Sequence, residues 1–512
     1  MIMGSNLNKI KRIAKNTTIL YFRMIVLMLI SLYVSRVVLD TLGVVDFGVY
    51  NVVFGFVALF SILSGSLTAA ISRFITFELG KKNELRLKQV FSISVTVLVI
   101  LAIIIVLLSE TLGLYLFNVK IVIPPERVTA AFWCYQLSVV TFIINLLSIP
   151  YNACIVAHEQ MSAFAYISIL DGLGKLLIAI SLNAYEGDKL VLYALLLMLL
   201  SVVICLFYGM YCKRKFSECS FKFNIDVKLF KELFAFSSWN FIGAASGILR
   251  DYGGSVLLNI FFGPSINAAR GLAMQVNSAV SSFSTNFMTA LNPQIIKTYA
   301  ENDKDYLFKL LFGGAKCAFF PLLLISLPII FNVDYILKIW LKTIPDYTSI
   351  FVILSLVNVM CESISYPMVT AMLATGKIRN YQLVVGGIQM LNFPLSYIWL
   401  RNGGNAISVF IISIIISQLC LYSRLYMLQG MIGLPIKAFL FKVYFRSILL
   451  VVFSIIIPYM VIIIKPTDNE TARFFLVTIA SIISSLFFIL FIGCNRNERQ
   501  IIITKIRETI KR

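Results

Sequence analysis

Charge is scarce in this chain. Only 13% of its 512 residues are Asp, Glu, Lys or Arg, about half the density that a soluble domain uses to face water. Most of its surface must therefore meet something apolar. The nine cysteines (Cys134, Cys154, Cys205, Cys212, Cys219, Cys317, Cys361, Cys420 and Cys494) form no CxxC pair and no metal-ligand spacing. Most fall in apolar runs, where cysteine acts as a small apolar residue, which argues against a disulfide framework or a zinc site. No metal or cofactor is expected. The single histidine, His158, falls in a short inner loop and carries little functional weight. A GxxxxGK[ST] phosphate loop is absent, and with it the signature of an ATP-driven pump. Loops longer than about twenty residues are also missing. That leaves no room for the extramembrane domain of a membrane glycosyltransferase or polymerase, so a transporter and not an enzyme is expected.

What the chain has is apolar length. Hydrophobic residues make up 59% of it, with a mean hydropathy of +0.90. They come in separated runs, each near the ~20 residues that cross a bilayer as a helix. Spans are expected at 17–39, 47–72, 90–117, 128–150, 160–182, 189–212, 231–260, 266–292, 308–332, 346–373, 380–400, 404–429, 445–464 and 472–494. The seventh and eighth are rich in Gly, Ser and Asn, and Phe262-Gly263-Pro264 is expected to separate them. The fold class is thus an all-α polytopic membrane protein of about fourteen helices.

The net charge of +20 invites a nucleic-acid partner, since basic patches release counterions from phosphate. Its distribution points elsewhere. Counted along the alternating loops, 29 basic residues fall in segments expected inside and 8 in segments expected outside. Such asymmetry orients a membrane protein and places both termini in the cytoplasm. Lys9, Lys11, Arg12 and Lys15 precede a first apolar run too long for a cleavable signal, and no small-residue cleavage site follows it.

The chain also resembles itself. Residues 43–91 match 263–311 at an offset of 220, and Ser148/Pro150 match Ser365/Pro367 at 217. Both repeats begin on odd-numbered helices, which makes them parallel and implies a pseudo-two-fold axis along the membrane normal. The expected organisation is a six-helix lobe over 1–215, a linker over 216–230, a second six-helix lobe over 231–429, and two further helices with a basic tail over 430–512.

Charges inside spans are costly and usually meet a partner or a wet cavity. Asp171 and Lys175 stand i, i+4 on one helix and should pair. Lys316 and Arg73 lie close enough to inner ends to snorkel, and Asp40 and Asp46 should be solvated at the outer interface. Arg23 and Arg250 are harder to dismiss, because they sit deep in the first and seventh spans, and Arg36 and Arg270 lie toward the outer ends of the first and eighth. Asp251 adjoins Arg250 but points about 100° away on a helix. The four arginines either line one anion pathway, for which a planar, permanently charged fork is suited, or make separate ion pairs. Asp171, Asp251 and Glu362 are the candidate carboxylates for a coupling ion. Gly43, Gly263, Pro264, Pro150 and Pro367 are candidate hinges.

Leu42-Gly43-Val44-Val45-Asp46-Phe47-Gly48-Val49-Tyr50 resembles the LG-x-x-DFG-x-Y signature of the polysaccharide flippases, within the multidrug/oligosaccharidyl-lipid/polysaccharide exporter superfamily. The stretch from Pro150 to Leu176 and the overall length are also similar. The resemblance implies two six-helix lobes around a cationic cavity. It also implies alternating access in the bacterial inner membrane and a substrate of undecaprenyl-pyrophosphate-linked oligosaccharide. Membrane lipids, a polysaccharide polymerase and a chain-length regulator would be partners. A drug/cation antiporter of the same superfamily should instead show buried acids in the first lobe, and a non-transporting scaffold should tolerate loss of Arg23 or Arg250. The second repeat departs from the signature, with Asn267-Ala268-Ala269-Arg270 where the first has Phe47-Gly48-Val49-Tyr50.

Overall fold

The computed structural model describes the backbone of residues 2–58, 60–115, 125–220, 226–341, 344–464, 469–495 and 499–500. Side chains are described from Arg12 onward, except at scattered positions between 32 and 63, at Leu112, and at scattered positions between 244 and 268. Among the described residues all regular structure is helical. Ten helices there are long and apolar enough to cross a membrane, and an eleventh span is a pair bent by 42°. The other three expected spans, 47–72, 231–260 and 266–292, are helical where described and run through positions whose side chains lie outside those described. Large apolar side chains stand outward, Leu177 and Phe441 among them. Lipid is the solvent that suits such a surface, since helices satisfy their own backbone there.

Two compact units divide the chain. The first comprises Met1–Ala244 with Ile296–Glu301, and the second Ala245–Ile295 with Asn302–Arg512.

The first unit begins with α1 (Ile2–Ala58), whose helical hydrogen bonding runs across a kink at Gly43. Gly43 has φ 76° and ψ 168°, a region essentially reserved for glycine. The signature glycine therefore sits at a kink that a residue with a Cβ would adopt only under strain. Then follow α2 (Ser61–Gly80), α3 (Glu84–Leu108), α4 (Val128–Ala157), α5 (Met161–Ser181) and α6 (Lys189–Lys215). Val49, Val53 and Val57 of α1 pack on Ala130, Ala131 and Cys134 of α4 and on Leu190 and Ala194 of α6. Small residues at that seam let the backbones approach, which is how helices associate where water supplies no hydrophobic drive. Asn83 and Asp188 cap α3 and α6 by accepting from backbone N–H groups. Pro150 lies buried inside α4 and not at its end.

Helical hydrogen bonding continues through α7 (Val227–Ala300). In a straight helix Ser255 and Arg270 would stand ~22 Å apart, yet Arg270 Nε donates to Ser255 Oγ over 3.1 Å. The chain therefore doubles back between them, and α7 is two arms. Gly263 and Pro264, the expected break, fall outside the residues whose side chains are described.

The second unit continues with α8 (Lys304–Phe331), the short α9 (Val333–Trp340), and the bent pair α10 (Thr348–Ser363) and α11 (Tyr366–Thr375). Next come α12 (Arg379–Arg401), α13 (Ser408–Ile432), α14 (Ile436–Ile464) and α15 (Glu470–Gly493). Pro367 sits in the first turn of α11, where its missing N–H costs nothing and α10 cannot continue through it. The two last helices pack on each other and on α8.

Candidate functional site

Each unit holds a polar cavity among its spans. In the first unit a cavity of about 660 Å³ is lined by Arg23, Tyr50, Asn145, Asp171, Lys175 and Tyr208, among others. Arg23 lies over the Phe164 ring at 4.4 Å, and its buried Nε has no hydrogen-bond partner among the described residues. Lys175 Nζ donates to Asp171 Oδ2 over 2.7 Å, the i, i+4 pair expected from the sequence. Arg36 lies outside the described side chains.

The second unit gathers more charge. Two cavities of about 200 and 210 Å³ share Arg250, Glu362, Tyr366 and Ser413 in their walls. Arg424 lines one and Arg270 the other. Arg250 Nη1 donates to Glu362 Oε1 over 2.6 Å, and Asn358 Nδ2 donates to the same oxygen over 3.1 Å. Arg270 lies against Gly254, where a Cβ would come within 2.7 Å of its Nη2. Only glycine at that position lets the guanidinium reach the backbone. Its other side covers the Phe410 ring at 5.2 Å, a cation–π seat for a charge held in an apolar surround.

The break between α10 and α11 completes this site. Glu362 stands in the last turn of α10, and Ser365 and Tyr366 open α11 beside it. A helix start carries unsatisfied N–H groups and the positive end of a dipole, so it favours negative charge. Broken spans bring such ends to the middle of a membrane. Ser365 Oγ and the buried Nε of Arg424 have no hydrogen-bond partner among the described residues. The sum is three guanidinium groups and one carboxylate around two cavities that share part of their walls, an excess of positive charge.

The chain matches a family model. The model of the family described as "Polysaccharide biosynthesis protein" matches residues 13–299, more than half of the chain. The chain belongs to that family. Solved structures share its fold. An outward-facing multidrug resistance MATE family transporter of the MOP superfamily superposes with a TM-score of 0.72 at 14% identity, covering 83% of this chain and 96% of that one. A MATE structure in the bent conformation gives the same four values. A MOP superfamily transporter from Pyrococcus furiosus gives a TM-score of 0.68 at 14% identity, with 83% and 96% covered. No curated protein matches the chain. This member of the polysaccharide biosynthesis family is thus a multi-pass membrane protein with a transporter fold.

Several expectations for the family member change on inspection. Arg250 and Arg270 meet in the second unit, while Arg23 lines a cavity of the first. Asp251 lies outside the described side chains. Arg424, counted with the inner loops, is buried inside α13 and bonds to Tyr381. Lys316 does not snorkel, for it is 5% exposed. Arg73 is likewise buried, stacked over Phe74 and Phe77 at 4.6 Å each. Asp46 is not merely solvated: Arg127 holds it at 2.6 Å.

His158 carries more than its loop position suggested. It stacks on Phe216 at 4.1 Å and bonds to Glu218 at 2.5 Å. Burial pushes the Glu218 carboxyl up, but the bond from His158 outweighs it and holds the group below its ordinary value. Beside it, Cys154 and Cys212 hydrogen-bond with Cys219. These three thiols lie far apart in sequence, and nothing in their spacing announced the cluster. All nine cysteines are free, and no group of metal-ligating side chains occurs among the described residues.

Proposed function

We propose that the chain is a flippase that moves undecaprenyl-pyrophosphate-linked oligosaccharide from the cytoplasmic to the periplasmic leaflet of a bacterial inner membrane, by alternating access. O-antigen, capsule or exopolysaccharide would be the product of the pathway. The observation that carries this reading is the cationic site of the second unit, where Arg250, Arg270 and Arg424 face one carboxylate, Glu362. A diphosphate diester bears one negative charge on each phosphoryl group, and guanidinium groups bind phosphoryl oxygens in two-bond forks without ever losing their proton. The inward asymmetry of basic residues supports cytoplasmic termini.

A cation exporter needs an available buried acid. Here Asp171 is bonded to Lys175 and Glu362 to Arg250, which disfavours that rival. The polymerase and chain-length regulator of the same pathway would act on the delivered substrate.

The test is complementation of a bacterium that lacks its own polysaccharide flippase. Wild type should restore surface polysaccharide, and Arg424→Ala at matched membrane abundance should not. A mutant that works as well as wild type would sink the cationic-site reading.

A further inference from the structure

Arg250 already holds an anion, and it belongs to the chain. Glu362 Oε1 sits 2.6 Å from Arg250 Nη1, the distance and geometry a phosphoryl oxygen would take. Both side chains are 22% exposed, so the pair is open to the cavity it lines. Arg270 and Arg424 are held differently: the first donates to Ser255 and covers Phe410, the second bonds to Tyr381.

The position of Glu362 is also particular. It ends α10 where the span bends by 42°, one turn before the N-terminus of α11. The carboxylate there accepts from Arg250 and from Asn358, so it keeps a neutral donor when the arginine is taken, and the start of α11 lies one turn on. An empty cavity with three guanidinium groups and no carboxylate would be costly in a membrane. A permanent neutralising anion would block the site. A carboxylate that can leave the arginine does neither.

We propose that Glu362 is a displaceable counter-anion. The diphosphate of the cargo takes Arg250 from it on binding, and the returning carboxylate helps expel the cargo. This rests on the reading that the site accepts a diphosphate. Removing the carboxylate's charge should therefore tighten binding and slow release, the reverse of what a purely structural glutamate would do.

The experiment uses the full-length chain in detergent and inorganic pyrophosphate as probe, comparing wild type, Glu362→Gln, Glu362→Asp and Arg270→Ala by calorimetry. Glu362→Gln keeps the shape and should bind pyrophosphate about tenfold tighter, because one repelling charge is gone. Glu362→Asp, whose carboxylate falls one methylene short, should tighten it less and guards against a misfolded Gln variant. Arg270→Ala should weaken binding about tenfold. In liposome flipping of lipid-linked diphosphate, Glu362→Gln should show a lower half-saturation and a lower maximal rate together. Unchanged or weaker binding in both Glu362 variants, with Arg270→Ala still impaired, would overturn the counter-anion alone. If wild type and every variant fail to bind pyrophosphate, the diphosphate site falls and the counter-anion with it.

Discussion

Arg127 grips Asp46 through two bonds, Nε to Oδ1 at 2.7 Å and Nη2 to Oδ2 at 2.6 Å, and extends to Asp188 at 2.9 Å. The aspartate of the LG-x-x-DFG-x-Y stretch thus ties the turn at Gly43 to the starts of α4 and α6. Arg127→Lys keeps the charge but loses the fork, and Arg127→Ala loses both. The arginine is a quarter exposed, which limits each pair to about 1 kcal/mol. Arg127→Ala is expected to lower the melting temperature in detergent by a few degrees, with Lys intermediate.

The same contact sets an acid limb. Burial pushes the Asp188 carboxyl up, but bonds from Arg127 and from the N–H groups of Val191 and Leu190 outweigh it and hold it below its ordinary value. A lowered folded-state value stabilises above the unfolded pKa near ~4 and is lost as pH falls through the lowered one. Wild-type stability should drop along this limb, and Arg127→Ala should flatten it. Melting curves taken from neutral pH to about pH 3 would check both.

Gly43→Ala isolates backbone strain. A Cβ built there meets no heavy atom within 4 Å among the described residues, so the expected penalty is conformational. The φ of 76° with ψ of 168° should still cost about 1–3 kcal/mol for any residue with a Cβ. Reduced folded yield at unchanged inherent transport per molecule is the expected outcome. A silent Gly43→Ala would show that the turn relaxes.

For the cationic site, stability and transport can be separated. Arg250→Ala leaves Glu362 with Asn358 in place of its ion partner, a loss of about 1–3 kcal/mol for a charged pair that is partly open to its cavity. Removing both in Arg250→Ala/Glu362→Ala should recover part of that stability, because Glu362 is no longer left without its ion partner while Arg270 and Arg424 keep their contacts to Ser255 and Tyr381. Transport should stay absent in the single and the double variant. Recovery of transport along with stability would assign the pair a purely structural role.

How much of this was legible in the sequence follows from range. Spans are local in composition, and the i, i+4 pair of Asp171 and Lys175 is local in geometry, so both were readable. Arg250 was found because a charge deep in an apolar run is conspicuous, and Arg270 because it lies within the next span toward its outer end. Arg424 was missed because it lies near a span end and looked like one more inner cation. The partner of Arg250 stands 112 positions away, a distance that no helical periodicity encodes. The break before Tyr366 hid for another reason: Ile364, Ser365 and Tyr366 carry no glycine, and only Pro367 marked it. The Cys154, Cys212 and Cys219 cluster is made by two helices and a loop, so spacing rules for metal or redox motifs could not see it.

Glu159 gives a last test in which two effects oppose. It takes up the left-handed region with φ 59°, which a glycine would adopt without strain, worth about 1 kcal/mol. Its carboxylate, with 1% of the side chain exposed, also bridges Arg12 at 2.7 Å and Lys297 at 2.8 Å. Loss of that bridge leaves Lys297 buried without its carboxylate, at about 3–5 kcal/mol. The bridge should win. Glu159→Gly is expected to melt well below wild type although its backbone is more comfortable, and Glu159→Gln should fall between them by keeping hydrogen bonds without charge. If Glu159→Gly equals or exceeds wild type, the bridge contributes nothing net and the strain governs.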